Sequence, residues 1–188
     1  MQAPYSATGG AGFGRSTAQK AVRADRKDYE IWKKQIGGDF FPKTVAEYRK
    51  MQYNNSPEFQ IIRNYVKSVD FGMISPLSGY ANYKRLYDYI EDNIVGITTP
   101  NGIKVAGQSK HFMERIIGTM KDPSHGNIPR SGVKPVDVLD ALLNGESGPI
   151  KLTSDRKTGK FSPSQLFYTS NCSVSINPET GFLIQCNP

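Results

Sequence analysis

Patterns typical of helices and patterns typical of strands occupy different parts of this chain. Apolar residues recur at helical spacing in a series of segments that ends near Leu143, whereas short alternating segments begin at Pro149. One helix has a clear start, because Ser56 is placed to cap it and Pro57 suits its first turn. Helices followed by strands are typical of an α+β fold rather than of a doubly wound parallel sheet.

The spacing of apolar residues places these elements along the chain. Helices are expected at 25–36, 43–51, 56–71, 78–93, 108–120 and 134–143. Strands are expected at 149–153, 160–162, 166–169, 172–176 and 182–186, and Asn101-Gly102 predicts a hairpin within 96–105. The C-terminal part is expected to be a small domain of two helices packed on an antiparallel four-stranded sheet.

Composition divides the rest of the chain. Residues 1–24 are rich in glycine, serine and alanine, and their GGAGFG run lacks the preceding strand that a phosphate loop needs, so they are expected to be a flexible lead. Residues 25–95 are expected to be a helical segment and 96–188 the functional domain. The tyrosines of 78–93 suit either stacking on nucleic-acid bases or packing in the core, and their helical spacing favours packing.

The charge of the chain favours a polyanionic partner. The formal net charge is +7 and the pI is about 9.4, which suits binding to a nucleic-acid backbone. No apolar run approaches the roughly 18 residues that span a bilayer, so no membrane association is expected. The N-terminus also lacks the apolar core of a Sec-type signal peptide, so export would need another route.

The last two strands carry both cysteines of the chain. Cys172, Val174, Ile176, Phe182, Ile184 and Cys186 have even numbers, so alternation predicts one buried face that contains both thiols. Two buried thiols or a cross-strand disulfide would both satisfy this pattern, the disulfide only in an oxidising compartment. The opposite face would present Ser173, Ser175, Leu183 and Gln185.

Two histidines are the natural candidates for chemistry near neutral pH. His111 and Arg115 lie one helical turn apart, on the side of their helix opposite Phe112, Met113, Ile116, Ile117 and Met120. An exposed inert histidine and one that lines a second, polar surface both fit this placement. His125 lies in a loop rich in glycine and proline, where it would be a second acid or base or have no role.

Metal-independent RNA cleavage is the reaction that these residue types fit. The 2′-hydroxyl of RNA is the nucleophile, so the protein supplies a general acid and base and cations for the pentavalent phosphate. Lys110, Arg115, Arg130, Lys151 and Lys160 are the candidate cations, and hydroxyls such as Ser173, Ser175 and Thr180 could orient phosphate oxygens. No carboxylate cluster, zinc-ligand spacing, nucleophile elbow or dinucleotide motif is present, so no cofactor or metal is expected.

The order of parts from about residue 97 resembles a known family. A histidine-bearing helix (SKHFMERIIG), a second helix (VKPVDVLDALLNG) and the ending CSVSINPETGFLIQCNP resemble the toxin nucleases of the barnase–EndoU–colicin–RelE superfamily. They look most like those at the C-termini of phage minor head proteins and bacterial polymorphic toxins. The resemblance implies a helix on a four-stranded antiparallel sheet and metal-independent cleavage of RNA, often tRNA.

The resemblance also assigns roles. It implies that His111 is the acid/base, that Arg115 and Lys151 stabilise the phosphorane, and that Ser175 and Thr180 position phosphate. Lys110, Arg130, Lys160 and Gln185 are then expected to bind RNA. Residues 25–95 would be the end of a carrier or a pretoxin segment, and the producing cell would make an immunity protein against a toxin that acts in the target-cell cytoplasm.

A non-catalytic function is the alternative. A basic structural module of a phage or secretion system would bind nucleic acid or a partner protein through its charge. Its binding would weaken with salt and would not depend on His111.

Overall fold

The computed structural model describes residues 17–122, 126–154 and 161–188, which form a mixed α+β fold. Among these residues there are six α-helices: α1 (Thr17–Ile36), α2 (Val45–Tyr53), α3 (Pro57–Asp70), α4 (Tyr80–Asn93), α5 (Lys110–Ile117) and α6 (Pro135–Asn144). No helix in the described part of the chain has the length and apolar character needed to cross a membrane.

Local sequence signals explain where several helices begin. The backbone N–H of Phe59 donates to Ser56 Oγ at 3.2 Å, as the predicted cap requires. Thr44 and Glu47 form a reciprocal capping box at the start of α2. Helix α1 begins at Thr17, inside the predicted lead, because no glycine or proline interrupts the good helix formers of 17–36.

The strands form a six-stranded, mostly antiparallel sheet. They are β1 (Gly107–Gln108), β4 (Glu146–Ser147), β5 (Lys151–Ser154), β6 (Phe161–Tyr168), β7 (Ser173–Ile176) and β8 (Phe182–Asn187), while β2 (Gly118–Thr119) and β3 (Arg130–Ser131) pair separately. The order is β1-β8-β7-β6-β4, with β5 also paired to β6, and among the described strands only β1 runs parallel to its neighbour. The predicted hairpin at 96–105 contains a single bridge, between Thr98 and Lys104.

The predicted sheet of four strands was wrong in its count. The two additional strands, β1 and β4, have two residues each, which is too short to show an alternating pattern. Conversely, the described parts of the two predicted strands, 161–162 and 166–168, belong to one strand, β6, that continues through Pro163. At Pro163 the strand pairs with β5 alone. The N–H that proline lacks therefore interrupts no pairing between β6 and β7.

The helices share one apolar core with the sheet. The prediction of two helices packed on the sheet was therefore incomplete. Helices α5 and α6 pack on the sheet, and α4 contacts both of them. Buried residues from α1 to β8 form a single cluster. Tyr80 and Tyr83 are buried beside Tyr65, with ring centroids 5.3 and 5.4 Å from it, so the packing interpretation is confirmed for these two tyrosines.

The predicted buried face of the last hairpin was wrong in part. Val174 pairs with Cys186, but the register shifts between Ser175 and Ile176, and Ile176 pairs with Leu183. This irregularity buries Leu183 and leaves Phe182 47% exposed, the reverse of the alternating pattern. Cys172 and Cys186 are both free and buried, and burial raises the pKa of both thiols.

Candidate active site

Helix α5 carries the histidine and is bounded by residues that fix its length. Ser109 caps it, because Ser109 Oγ accepts from the backbone N–H of Phe112 and donates to the carbonyl of Ile184 on β8. Gly118 ends it with φ 100°, where a Cβ would lie 2.8 Å from the backbone nitrogen of Gly132. The helix is therefore shorter than predicted at both ends, and Met120, expected on its apolar face, is 51% exposed.

A buried carboxylate, Glu114, lies at the centre of the polar side of α5. Its oxygen Oε1 accepts from Ser68 Oγ on α3 at 2.7 Å and also from Lys110 Nζ. Its other oxygen, Oε2, faces His111 Nδ1 at 3.4 Å. Glu114 is 2% exposed, so these three donors replace the water that a carboxylate would otherwise bind.

The donors also set the charge of Glu114. Burial by itself would raise its pKa, but hydrogen bonds from His111, Lys110 and Ser68 outweigh burial and lower the pKa to about 2. The carboxylate is therefore ionised at neutral pH and offers a fixed negative charge to the imidazole beside it.

This lowered pKa predicts a pH dependence of stability. Because the pKa of Glu114 is lower in the folded chain than its ordinary 4.5, the unfolded chain binds a proton more readily in acid. We expect wild type to lose roughly 1.4 kcal/mol of unfolding free energy per unit of pKa difference as the pH falls from about 4.5 to about 2. Glu114→Gln should lack the contribution of Glu114 to this decrease, when the unfolding free energy is measured with denaturant at a series of pH values across that range.

The exposed Glu179 supplies the control for that measurement. Glu179→Gln should unfold with the same acid dependence as wild type, since this side chain is exposed in the turn before β8. Equal slopes for Glu114→Gln and wild type would contradict the account of Glu114.

His111 is held between Glu114 and Arg115. Arg115 Nε lies 3.4 Å from His111 Nε2, and an arginine nitrogen can only donate, so Nε2 acts as the acceptor. In the neutral ring the proton then lies on Nδ1 and points to Glu114. The His111 side chain is 42% exposed, so the ring is oriented from beneath and open to solvent.

Arg115 and Arg130 are joined through one buried aspartate. Both terminal nitrogens of Arg115 lie 3.2 Å from Asp122 Oδ2, and Arg130 Nε contacts the same oxygen. Arg130 also donates to Asn187 Oδ1 at 2.7 Å, which ties the group to β8. We call the following residues the α5 cluster: Ser68, Lys110, His111, Glu114, Arg115, Asp122 and Arg130.

A second polar region lies on the face of the sheet opposite the core. A cavity of about 360 Å³, the sheet cavity, is lined by Phe182, Gln185 and the hydroxyls of Ser109, Thr153, Ser162, Ser164, Ser175 and Thr180. An adjoining cavity is lined by Lys151 and shares Ser164 and Ser175 with the first. None of the described residues that line the sheet cavity is charged.

The predicted site residues thus fall into two groups. His111, Arg115, Lys110 and Arg130 lie in the α5 cluster, and Ser175, Thr180 and Gln185 line the sheet cavity, with Lys151 beside it. Ser109 connects the groups, because it lines the sheet cavity and lies two residues before His111. No hydrogen bond between described residues joins His111 to the cavity, and His125 and Lys160 lie outside the described residues.

Three members of the α5 cluster were not found from the sequence. Glu114 had a signal, because it lies three and four residues after His111 and Lys110, the spacing of helical ion pairs. Asp122 follows the short strand β2, and Ser68 lies 46 residues before its partner, so neither belongs to a local pattern. Within the described residues, no three histidine, cysteine or acidic side chains are arranged to hold a metal.

The sequence matches no protein-family model, no curated protein and no solved structure. The resemblance to the toxin nucleases therefore stays a prediction.

Proposed function

We propose that this chain is a metal-independent endoribonuclease in which His111 is the general acid and base. The observation that carries the proposal is the position of its imidazole. The ring is half-exposed, with Nδ1 on a buried, ionised glutamate and Nε2 facing a buried arginine. A carboxylate that holds one imidazole nitrogen and orients the other for proton transfer is a recurrent catalytic arrangement, and here the substrate would replace Arg115 at Nε2.

The charge of the α5 cluster suits a phosphodiester substrate. Its three cations, Lys110, Arg115 and Arg130, outnumber its two carboxylates, so the cluster is positive even with a neutral imidazole. Lys110 is the most exposed of the three, with 35% of its side chain accessible. These charges would attract the RNA backbone and stabilise the extra negative charge of the phosphorane.

The chemical step uses the substrate's own hydroxyl. The 2′-oxygen attacks the adjacent phosphorus as Arg115 Nε turns from the imidazole to the phosphate and His111 Nε2 accepts the proton of the 2′-hydroxyl. The bond from phosphorus to the 5′-oxygen breaks as Nε2 gives that proton to the leaving 5′-oxygen. The products are a 2′,3′-cyclic phosphate and a 5′-hydroxyl. Arg115 and Lys151 are the proposed phosphorane partners, and Ser175 and Thr180 the proposed phosphate-positioning hydroxyls.

The biological setting proposed from the resemblance is that of a delivered toxin. The substrate would be RNA in the target-cell cytoplasm, with tRNA the first candidate. The producing cell would make an immunity protein that blocks the enzyme before delivery.

Incubation of the purified protein with total bacterial RNA in excess EDTA tests this function. We expect discrete fragments that end in 2′,3′-cyclic phosphate. DNA of matched sequence and RNA methylated on the 2′-oxygen should stay intact, because neither can supply the nucleophile.

Two results would contradict the proposal. Cleavage of the DNA would exclude 2′-oxygen attack. Intact RNA both in EDTA and after addition of Mg²⁺ would favour the non-catalytic module, whose binding to RNA would weaken with salt and would not change in His111→Ala.

A further inference from the structure

The sheet cavity contains an exposed aromatic ring whose place is fixed by a glycine. Phe182 pairs with Gly107 in the parallel β1–β8 ladder. A Cβ on Gly107 would lie 3.1 and 3.2 Å from Phe182 Cε1 and Cζ, so the ring lies directly against the Gly107 backbone. The ring lines the sheet cavity and stays 47% exposed, although phenylalanine on a strand normally gains free energy from burial.

Two polar side chains of the cavity have no hydrogen-bond partner among the residues that the structure describes. Ser175 and Gln185 are directly paired across β7 and β8, and both line the cavity. Neither side chain makes a hydrogen bond to another described residue. Asn177, by contrast, is used in the turn, where its Oδ1 accepts from the backbone N–H groups of Glu179 and Thr180.

These features match the chemistry of a nucleobase. A base offers a flat π face for stacking on an aromatic ring and an edge of hydrogen-bond donors and acceptors, and it carries no charge. The described lining of the cavity is likewise uncharged, with one exposed ring and an unpartnered amide that can both donate and accept. A phosphate would instead require a cation, and Lys151 lines only the adjoining cavity.

We propose that the sheet cavity is a base-binding subsite for single-stranded RNA. Phe182 stacks on one unpaired base and the Gln185 amide hydrogen-bonds to its edge, while Ser175, which lines both cavities, keeps its proposed role toward the phosphate. One nucleotide can thus place its base at Phe182 and its phosphate near Lys151. The inference rests on the proposed ribonuclease function and adds that the enzyme selects unpaired nucleotides.

Binding of a fluorescent single-stranded oligoribonucleotide tests the subsite, with His111→Ala as the background so that the RNA is not cut. Phe182→Leu keeps an apolar side chain against Gly107 but removes the ring, and should weaken binding roughly fivefold or more. Phe182→Tyr should restore binding. Phe161→Leu removes an aromatic ring that is 70% exposed but does not line the cavity, and should have no effect.

Two further ligands, duplex RNA and free mononucleotides, test whether the subsite is specific for unpaired bases within a strand. Duplex RNA of the same sequence should bind equally to Phe182→Leu and to the background protein, because its bases are not free to stack. Equal losses on single-stranded and duplex RNA would overturn the subsite, as would free mononucleotides that compete as strongly as the oligonucleotide. Unchanged binding in Phe182→Leu would also overturn it, with the ribonuclease left intact if wild type still cuts RNA.

Loss of the proposed function gives a different result. In this case wild type cuts no RNA, while Phe182→Leu still weakens the binding of single strands selectively. That result would support the base-binding subsite and contradict the catalytic role of His111.

Discussion

Replacement of His111 by alanine should lower RNA cleavage about 10²- to 10⁴-fold and leave the fold intact. The large loss is expected because the imidazole would accept the proton of the 2′-hydroxyl, and alanine has no group that can do so. The fold should persist because 42% of the His111 side chain is already exposed and the apolar side of α5 is untouched. Initial rates on a fluorogenic oligoribonucleotide, with thermal unfolding of the same preparations, measure both effects.

A control and a rescue make this experiment specific. Lys104→Ala removes an exposed positive charge outside the α5 cluster and should retain the wild-type rate. Free imidazole should restore part of the activity of His111→Ala, since the half-exposed position admits a small base. A variant that keeps more than about a tenth of wild-type activity would remove His111 from the proposed mechanism.

Replacement of Asp122 by asparagine should give the largest loss of stability among single changes in the α5 cluster. Asp122 is 1% exposed and contacts both Arg115 and Arg130, so asparagine leaves a buried guanidinium without its counter-charge. Breaking a buried ion pair in this way costs about 3–5 kcal/mol. For a chain of this size we expect the unfolding temperature to fall by on the order of 10 °C, measured by calorimetry.

The chain offers a matched exposed pair as the control. Asp88 contacts Lys84 Nζ at 2.7 Å, but its side chain is 46% exposed, and such pairs contribute about 0–1 kcal/mol. Asp88→Asn should therefore change the unfolding temperature by only a few degrees. If the two variants unfold at the same temperature, Asp122 does not have the structural role assigned to it.

The elements of this fold could be predicted from the sequence wherever the signal was local. Ser56 and Pro57 marked the start of α3, and apolar spacing placed α6 within one residue of its observed bounds. The short strands β1 and β4 gave no such signal. A strand of two residues is defined by its pairing with neighbouring strands and not by a pattern in its own sequence. Phe182 was misassigned for a related reason, since one irregularity in the β7–β8 register reverses the faces beyond it.

The sequence pattern placed His111 and Arg115 together but did not indicate the buried groups around them. Those groups are Glu114 and Asp122, which contact the pair directly, and Ser68, which contacts Glu114. His111 and Arg115 share a helical face, and helical spacing is enough to place them together. Arg115, however, is 6% exposed, and its position depends on Asp122, which no periodic pattern connects to α5. Buried polar partners are chosen by the tertiary fold, so a single sequence indicates the helix but not the partners that enclose it.

The hydrogen bond from Ser68 to Glu114 has a consequence for where the chain can be divided. A fragment that begins at residue 96 would keep Lys110, His111 and Glu114 but lose Ser68 on α3, which removes one of the three donors to a buried carboxylate. A fragment that preserves the α5 cluster must therefore begin before Ser68, within or upstream of α3.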